Sequence, residues 1–260
     1  MAEAAGLYYE THGPADAPPV ILSSGLGGSA GYWEPNIAAL AAQHRVIAYD
    51  HRGTGRSSRA LPGPASVEDM ARDVLSLMDA LRIESASLVG HALGAMIGIE
   101  AALASGRIER LVAINAWRTL SAHTRRCFEA RLALLRSAGA EAFLQAQPLF
   151  LFPPDWIASH DAQLAAELPH HLAAFPGAET MEKRIDAVQA YAPHPSAIAA
   201  LPPLLAIATR DDFLVPFASA RELAASFPQA RIETFKWGGH ACNVTDPERF
   251  NPIVLEFLRS

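Results

Sequence analysis

Six short runs set the terms on which this chain can fold: "PPVILSSG", "HRVIAYDHRG", "ASLVGHALG", "ERLVAINAW", "PPLLAIATRDD" and "ARIETFKWGGH". Each is rich in apolar β-forming residues, each stops in a loop, and longer helical patterns separate them. Neighbouring parallel strands need a long crossover, usually a helix, so this alternation predicts an α/β chain with a mostly parallel, twisted sheet flanked by helices. One crossover shows the pattern: in "SVEDMARDVLSLMDALRI" the residues Val67, Met70, Val74, Leu77, Met78 and Leu81 recur at helical spacing behind Ser66, a good N-cap. They are read as core positions.

From Arg118 to about Pro195 the strand signals stop, and the chain reads as several helices punctuated by Gly139, Pro148 and Pro153-Pro154. The expected organisation is a core formed by residues 1–117 and 199–260, interrupted by a helical insertion over 118–198. Ligands of open parallel sheets lie beyond the carboxyl ends of the strands. An insertion leaving that edge is therefore expected to cover the site as a lid.

Charge narrows the function. The 21 Lys and Arg residues are outnumbered by 27 Asp and Glu, and no basic run occurs, so the footprint required by nucleic acid or an anionic membrane is missing. The start, "MAEAAGLYYETHG", has neither a basic region nor an apolar one, and no stretch of about 18 apolar residues spans a bilayer; the expected location is the cytoplasm. Cys127 and Cys242 are the only cysteines and are read as free thiols. Neither a metal nor a cofactor is expected, the partner is a small-molecule substrate, and a homodimer is left open.

Four loops at the carboxyl ends of the runs carry the chemistry. Residues 90–94 read "GHALG", which fits the strand-turn-helix frame G-x-S-x-G with Ala92 where a nucleophilic serine belongs. A methyl group cannot attack a carbonyl, so the chain has abandoned chemistry, uses a reaction without a covalent intermediate, or has been disabled. "SSGLGGSAGYW" is a glycine-rich turn directly after a strand. "IATRDDFLVP" and "KWGGHACNVTDPERF" place Asp211, Asp212 and His240 in post-strand loops, with His240 28 positions after Asp212, which leaves room for one helix and one strand. Either aspartate alone is an ordinary turn cap; in company with His240, Asp212 is expected to accept its Nδ1 hydrogen and turn Nε2 to the cleft, while Asp211 points elsewhere.

"GHALG" differs only at serine from the elbow of α/β-hydrolase-fold enzymes, and "YDHRGTGRS" is similar to a loop of theirs. More narrowly, "SGLGGSAGYW", "DHRGTGRS", "VGHALGA", "AHTRRCF", "AQPLFLFPPDW" and "WGGHACNVTDPE" resemble, in order along the whole chain, the RutD family of the bacterial pathway for pyrimidine use. The resemblance implies an α/β-hydrolase fold in which alanine is native to the elbow. It implies an oxyanion site made by the N–H groups of Leu26 and Leu93, and a His240–Asp212 dyad. It also implies a cofactor-free hydrolase acting on carbamate or on 3-aminoacrylate, both products of uracil ring opening. A cofactor-free lyase or oxygenase and a non-catalytic binding protein are the competing readings.

Around this centre, Trp33 and Trp117 are candidates for apolar walls or for core, and Arg118, Arg125 and Arg126 are candidate cations for the substrate carboxylate. His91, His170 and His171 are read as non-catalytic, Cys242 as an apolar filler, and Ser23, Ser24 and Ser29 as lacking an elbow to expose them.

Overall fold

The computed structural model describes residues 2–59, 61, 63–193 and 201–260. The six expected runs form β3 (Pro19–Ser23), β4 (Arg45–Tyr49), β5 (Ala86–His91), β6 (Ile108–Ile114), β7 (Leu204–Thr209) and β8 (Ala230–Phe235). They pair in parallel within an eight-stranded sheet of order β1-β2-β4-β3-β5-β6-β7-β8. The first two strands, β1 (Ala2–Ala4) and β2 (Leu7–His12), are antiparallel and were not expected. They are joined by Ala5 and Gly6 at φ 54° and 76°, the pair of positive values that a tight type I′ hairpin turn needs. An alanine in the first position hides that turn from the sequence, because the residue types that normally signal it are Asn, Asp and Gly.

The interior strands are buried on both faces, with their side chains alternating between two cores as the pleat requires. Ile21 and Ile47 enter one apolar cluster with Met70, Val74, Met96 and Ile97. Val20, Leu22, Val46 and Ala48 enter the other with Trp33, Val112, Phe250 and Phe257. The first cluster is closed by α2 (Val67–Ala80) and α3 (Leu93–Ser105), the second by α1 (Glu34–Ala41) and, from the chain end, the helix Pro247–Arg259. Helix α2 starts where expected: the Ser66 side chain accepts the N–H of Asp69 and the Asp69 carboxylate accepts the N–H of Ser66, a full capping box.

Between β6 and β7 the described residues form four helices: α4 (Ala122–Leu151), α5 (Pro154–Ser159), α6 (Asp161–Ala174) and α7 (Ala178–Ala190). The expected end of the insertion, at 198/199, lies outside the described residues. Gly139 interrupts α4 with φ 83° and ψ −173°, whereas Pro148 stays inside its last turns, and Pro153 caps α5 with Pro154 at its first position. A proline there forfeits a single intrahelical bond, which the packed end of α4 tolerates. After β7 come α8 (Phe217–Ala225), the short α9 (Cys242–Thr245) and α10 (Pro247–Arg259). No helix among the described residues is long and apolar enough to cross a membrane.

Candidate active site

The elbow is built although the serine is absent. Between β5 and α3, Ala92 sits at φ 47° and ψ −108°, a conformation that costs a side-chain-bearing residue on the order of 1–3 kcal/mol. Two glycines make the turn sterically feasible. A Cβ on Gly94 would lie 1.9 Å from the Ser23 carbonyl oxygen, and one on Gly90 would lie 2.4 Å from the Ala95 nitrogen. The result is a helix N-terminus aimed at the sheet edge, with the Leu93 N–H among the groups that no helical carbonyl can satisfy.

The glycine turn after β3 packs alongside, and "DHRGTGRS" braces it. The Gly28 carbonyl accepts the His51 N–H at 2.7 Å and the Thr54 hydroxyl at 2.9 Å. The Asp50 carboxylate accepts the Ala30 N–H at 2.8 Å and the Arg56 Nε–H at 2.8 Å. Leu26, in the middle of the turn, turns its carbonyl to the Arg184 guanidinium, which donates from Nε at 3.0 Å and Nη2 at 2.9 Å.

On the other side of the elbow, His240 and Asp212 are joined by an Nδ1···Oδ2 contact of 2.8 Å, with their side chains 2% and 0% exposed. A carboxylate only accepts, so Nδ1 carries the hydrogen and Nε2 holds the lone pair of the neutral ring. Nε2 makes no hydrogen bond to the described residues. The other carboxylate oxygen of Asp212 accepts the N–H groups of Leu214 and Val215, each at 2.8 Å, which fixes the acid in place. Asp211 indeed faces away: it accepts the N–H groups of Gly238 at 3.2 Å and Gly239 at 3.1 Å and so shapes the histidine loop.

Two residues hold that loop from below. Asn115, at φ 46° after β6, donates to the carbonyls of His240 at 2.8 Å and Gly239 at 3.2 Å and accepts the Thr209 N–H at 3.0 Å. His91 donates from Nε2 to the His240 carbonyl at 2.8 Å and stacks on Tyr32 with ring centres 4.9 Å apart. Burial, and then the neighbouring His240, drive its basicity well below that of a free histidine, so it stays neutral and positions rather than reacts.

The insertion touches the acid loop, the histidine loop and the glycine turn. Thr124 of α4 donates to the Leu214 carbonyl at 3.0 Å beside the acid. Leu151 and Pro153 crowd the space over Gly239, and Trp237 donates to Asp155 at 3.2 Å. Arg184 of α7 grips the glycine turn. Ala92 is only 6% exposed.

Several candidates fall elsewhere. Trp33 belongs to the core on the opposite face of the sheet from Ala92, so it is no pocket wall. Trp117 shares the cluster of Ala92 and Leu93 and packs on Phe128 with ring centres 6.3 Å apart. Arg118 is tied to Glu222 at 2.7 Å, and Arg125 and Arg126 are exposed, because the first turns of α4 direct those side chains to solvent; none of the three serves the site. His170 and His171 are exposed. Cys242 is fully buried, and that burial pushes its thiol up to about 12, which rules it out as a nucleophile at neutral pH. Ser23 bonds the Tyr49 hydroxyl at 2.8 Å, Ser29 caps the Gly31 N–H at 3.2 Å, and Ser24 is buried. Asn115 and Arg184 escaped the sequence reading, since single polar residues at a strand end and in a helix carry no motif; His51 lies within "DHRGTGRS", which its likeness to a hydrolase loop marked without giving the histidine a role.

An elbow, a glycine turn and a His–Asp pair gathered at the carboxyl edge of a parallel sheet define an enzyme of the α/β-hydrolase class. The model of the family described as "alpha/beta hydrolase fold" matches residues 18–146. The fold is shared with the enol-lactonase of Burkholderia xenovorans LB400 (TM-score 0.87, 29% identity, 98% of this chain and 96% of that one). It is shared too with a serine-to-alanine mutant of the meta-cleavage product hydrolase of Pseudomonas fluorescens IP01, complexed with acetates (TM-score 0.84, 27% identity, 98% and 96%). A curated protein of Caulobacter sp. strain K31, named "Putative carbamate hydrolase RutD", is 46% identical over 97% of this chain and 96% of its own length. The chain belongs to the RutD family of α/β hydrolases.

Proposed function

We propose that the protein is a cytoplasmic, cofactor-free hydrolase that breaks carbamate into ammonia and carbon dioxide in pyrimidine degradation, using His240 and Asp212 and no nucleophile. The observation that carries this reading is a complete, buried dyad beside an elbow whose strained backbone is kept while its hydroxyl is gone. Carbamate needs no acyl intermediate. Protonation of its nitrogen makes ammonia the leaving group; the C–N bond then breaks, its electron pair leaves with nitrogen, and the remaining carboxylate departs as carbon dioxide. His240, once protonated at Nε2, supplies that proton, regains one from water, and is held in register throughout by Asp212. General acid help of this kind is typically worth about 10²–10⁴-fold.

The substrate assignment draws on the name of the Caulobacter relative. Carbamate also has the shape of acetate, the ligand of the alanine mutant among the structural neighbours. The N–H groups of Leu26 and Leu93 are the neutral donors assigned to the anion, and the helices α4 to α7 act as the lid. The test is ammonia release from fresh carbamate and, separately, from 3-aminoacrylate, by the native chain and Ala92→Ser against buffer. Acceleration on carbamate alone, retained by the native alanine, is the expected result. Acceleration on 3-aminoacrylate alone would transfer the same acid chemistry to enamine deamination, and no acceleration on either would leave a binding protein.

A further inference from the structure

Two arginines of the helical insertion are buried without an acidic partner among the described residues, and their surroundings differ. Arg131 of α4 lies in an aromatic cage, its guanidinium 4.9 Å from the ring centre of Phe143 and 5.5 Å from that of Phe150, so ring faces answer its charge. Arg184 of α7 has no such ring among the described residues. It is 0% exposed, and its partners are the Leu26 carbonyl and Nδ1 of His51, which accepts from Nη2 at 3.0 Å. Burial and the arginine itself keep His51 neutral, so neither of these partners offsets the cation. Its Nη1 is buried and has no hydrogen-bond partner among the described residues.

A buried cation with a spare donor is destabilising until an anion reaches it. The sequence nevertheless makes room for it: a Cβ on Gly28 would stand 3.0 Å from Nη2, and Gly28 has none. The guanidinium therefore sits fixed against the same turn whose Leu26 N–H is assigned to the substrate, with its fork held by two neutral acceptors and one arm unspent. Burial lowers it to about 10, which leaves it charged at neutral pH.

We propose that Arg184 binds the carboxylate of the substrate and makes the site selective for small carboxylates over neutral isosteres. The inference rests on the proposed reading of the site as one for a small carboxylate, yet it can be tested without turnover. Acetate and acetamide are alike in shape and differ in charge. Binding of 13C-labelled acetate and acetamide is measured by line broadening for the native chain, Arg184→Lys and Arg131→Met, with thermal melts to confirm folding. The native chain should prefer acetate. Arg184→Lys keeps the charge and loses the fork, and should bind acetate about 10–100-fold more weakly with acetamide unchanged; Arg131→Met should bind acetate like the native chain. Equal affinity of the native chain for the two probes, unchanged acetate binding in Arg184→Lys, or loss in Arg131→Met instead would each overturn the proposal. Should Arg184→Lys fail to fold, the guanidinium 15N resonances of the native and Arg131→Met chains decide: a buried arginine signal common to both should move with acetate and stay still with acetamide, and immobility under both refutes the assignment. Accelerated carbamate breakdown with acetate binding indifferent to Arg184 keeps the proposed function and sinks this inference. Arg184-dependent acetate binding without any acceleration does the reverse.

Discussion

At the scale of single residues the site is an exercise in satisfying buried groups. Asn115 meets two carbonyls and one N–H of the loops that carry Asp212 and His240, and adopts a positive φ to do so. Asn115→Ala leaves the Thr209 N–H and the Gly239 carbonyl without that partner, whereas the His240 carbonyl keeps His91. Unsatisfied buried groups cost about 1–3 kcal/mol each, so a loss on the order of 3 kcal/mol is expected in urea unfolding, together with reduced activity in the folded fraction. A loss under about 1 kcal/mol would show that water replaces the amide. The dyad itself was legible in the sequence because elbow, acid and histidine follow one another in hydrolase order and each closes a strand. Asn115 and Arg184 were not, because their roles are created by contacts with residues more than 90 positions away.

At the scale of elements, the strands and their crossovers followed from apolar runs and capping residues, since those signals are local. The hairpin of β1 and β2 did not, because Ala5 takes a conformation its type rarely shows. Within the insertion, Gly139 breaks α4 in a region of φ and ψ that is essentially reserved for glycine. A Cβ there would meet nothing within 4 Å, so Gly139→Ala is a purely conformational change. It is expected to lower stability by about 1–3 kcal/mol, read as a shift in the urea midpoint. An unchanged midpoint would mean that α4 runs straight at low energy, and that the break is unnecessary for laying its two halves over the acid and histidine loops.

For the whole molecule the decisive feature is how much neutral histidine it buries. His51 and His91 both have their basicity driven well below the usual 6.5, His51 by burial and then Arg184, His91 by burial and then His240. Above pH 6.5 neither the folded nor the unfolded form protonates them. Below it the unfolded chain takes up protons that the folded chain refuses, so stability is lost as pH falls, by up to about 1.4 kcal/mol per pH unit for each histidine until the folded ring also titrates. The urea midpoint should therefore be level from pH 8 to about 7 and fall steeply toward pH 5. A midpoint independent of pH over that range would place these rings in contact with water.

The central claim is that the His240–Asp212 pair performs hydrolysis beside an elbow that has no nucleophile. The direct measurement is the initial rate of ammonia release from freshly generated carbamate with the native chain, with folded His240→Ala, and in buffer alone, at one pH and temperature. The account predicts that the native chain exceeds buffer by at least about 100-fold and that His240→Ala falls back to within a few-fold of buffer. Equal rates for the native chain and His240→Ala, at whatever level above buffer, would contradict it.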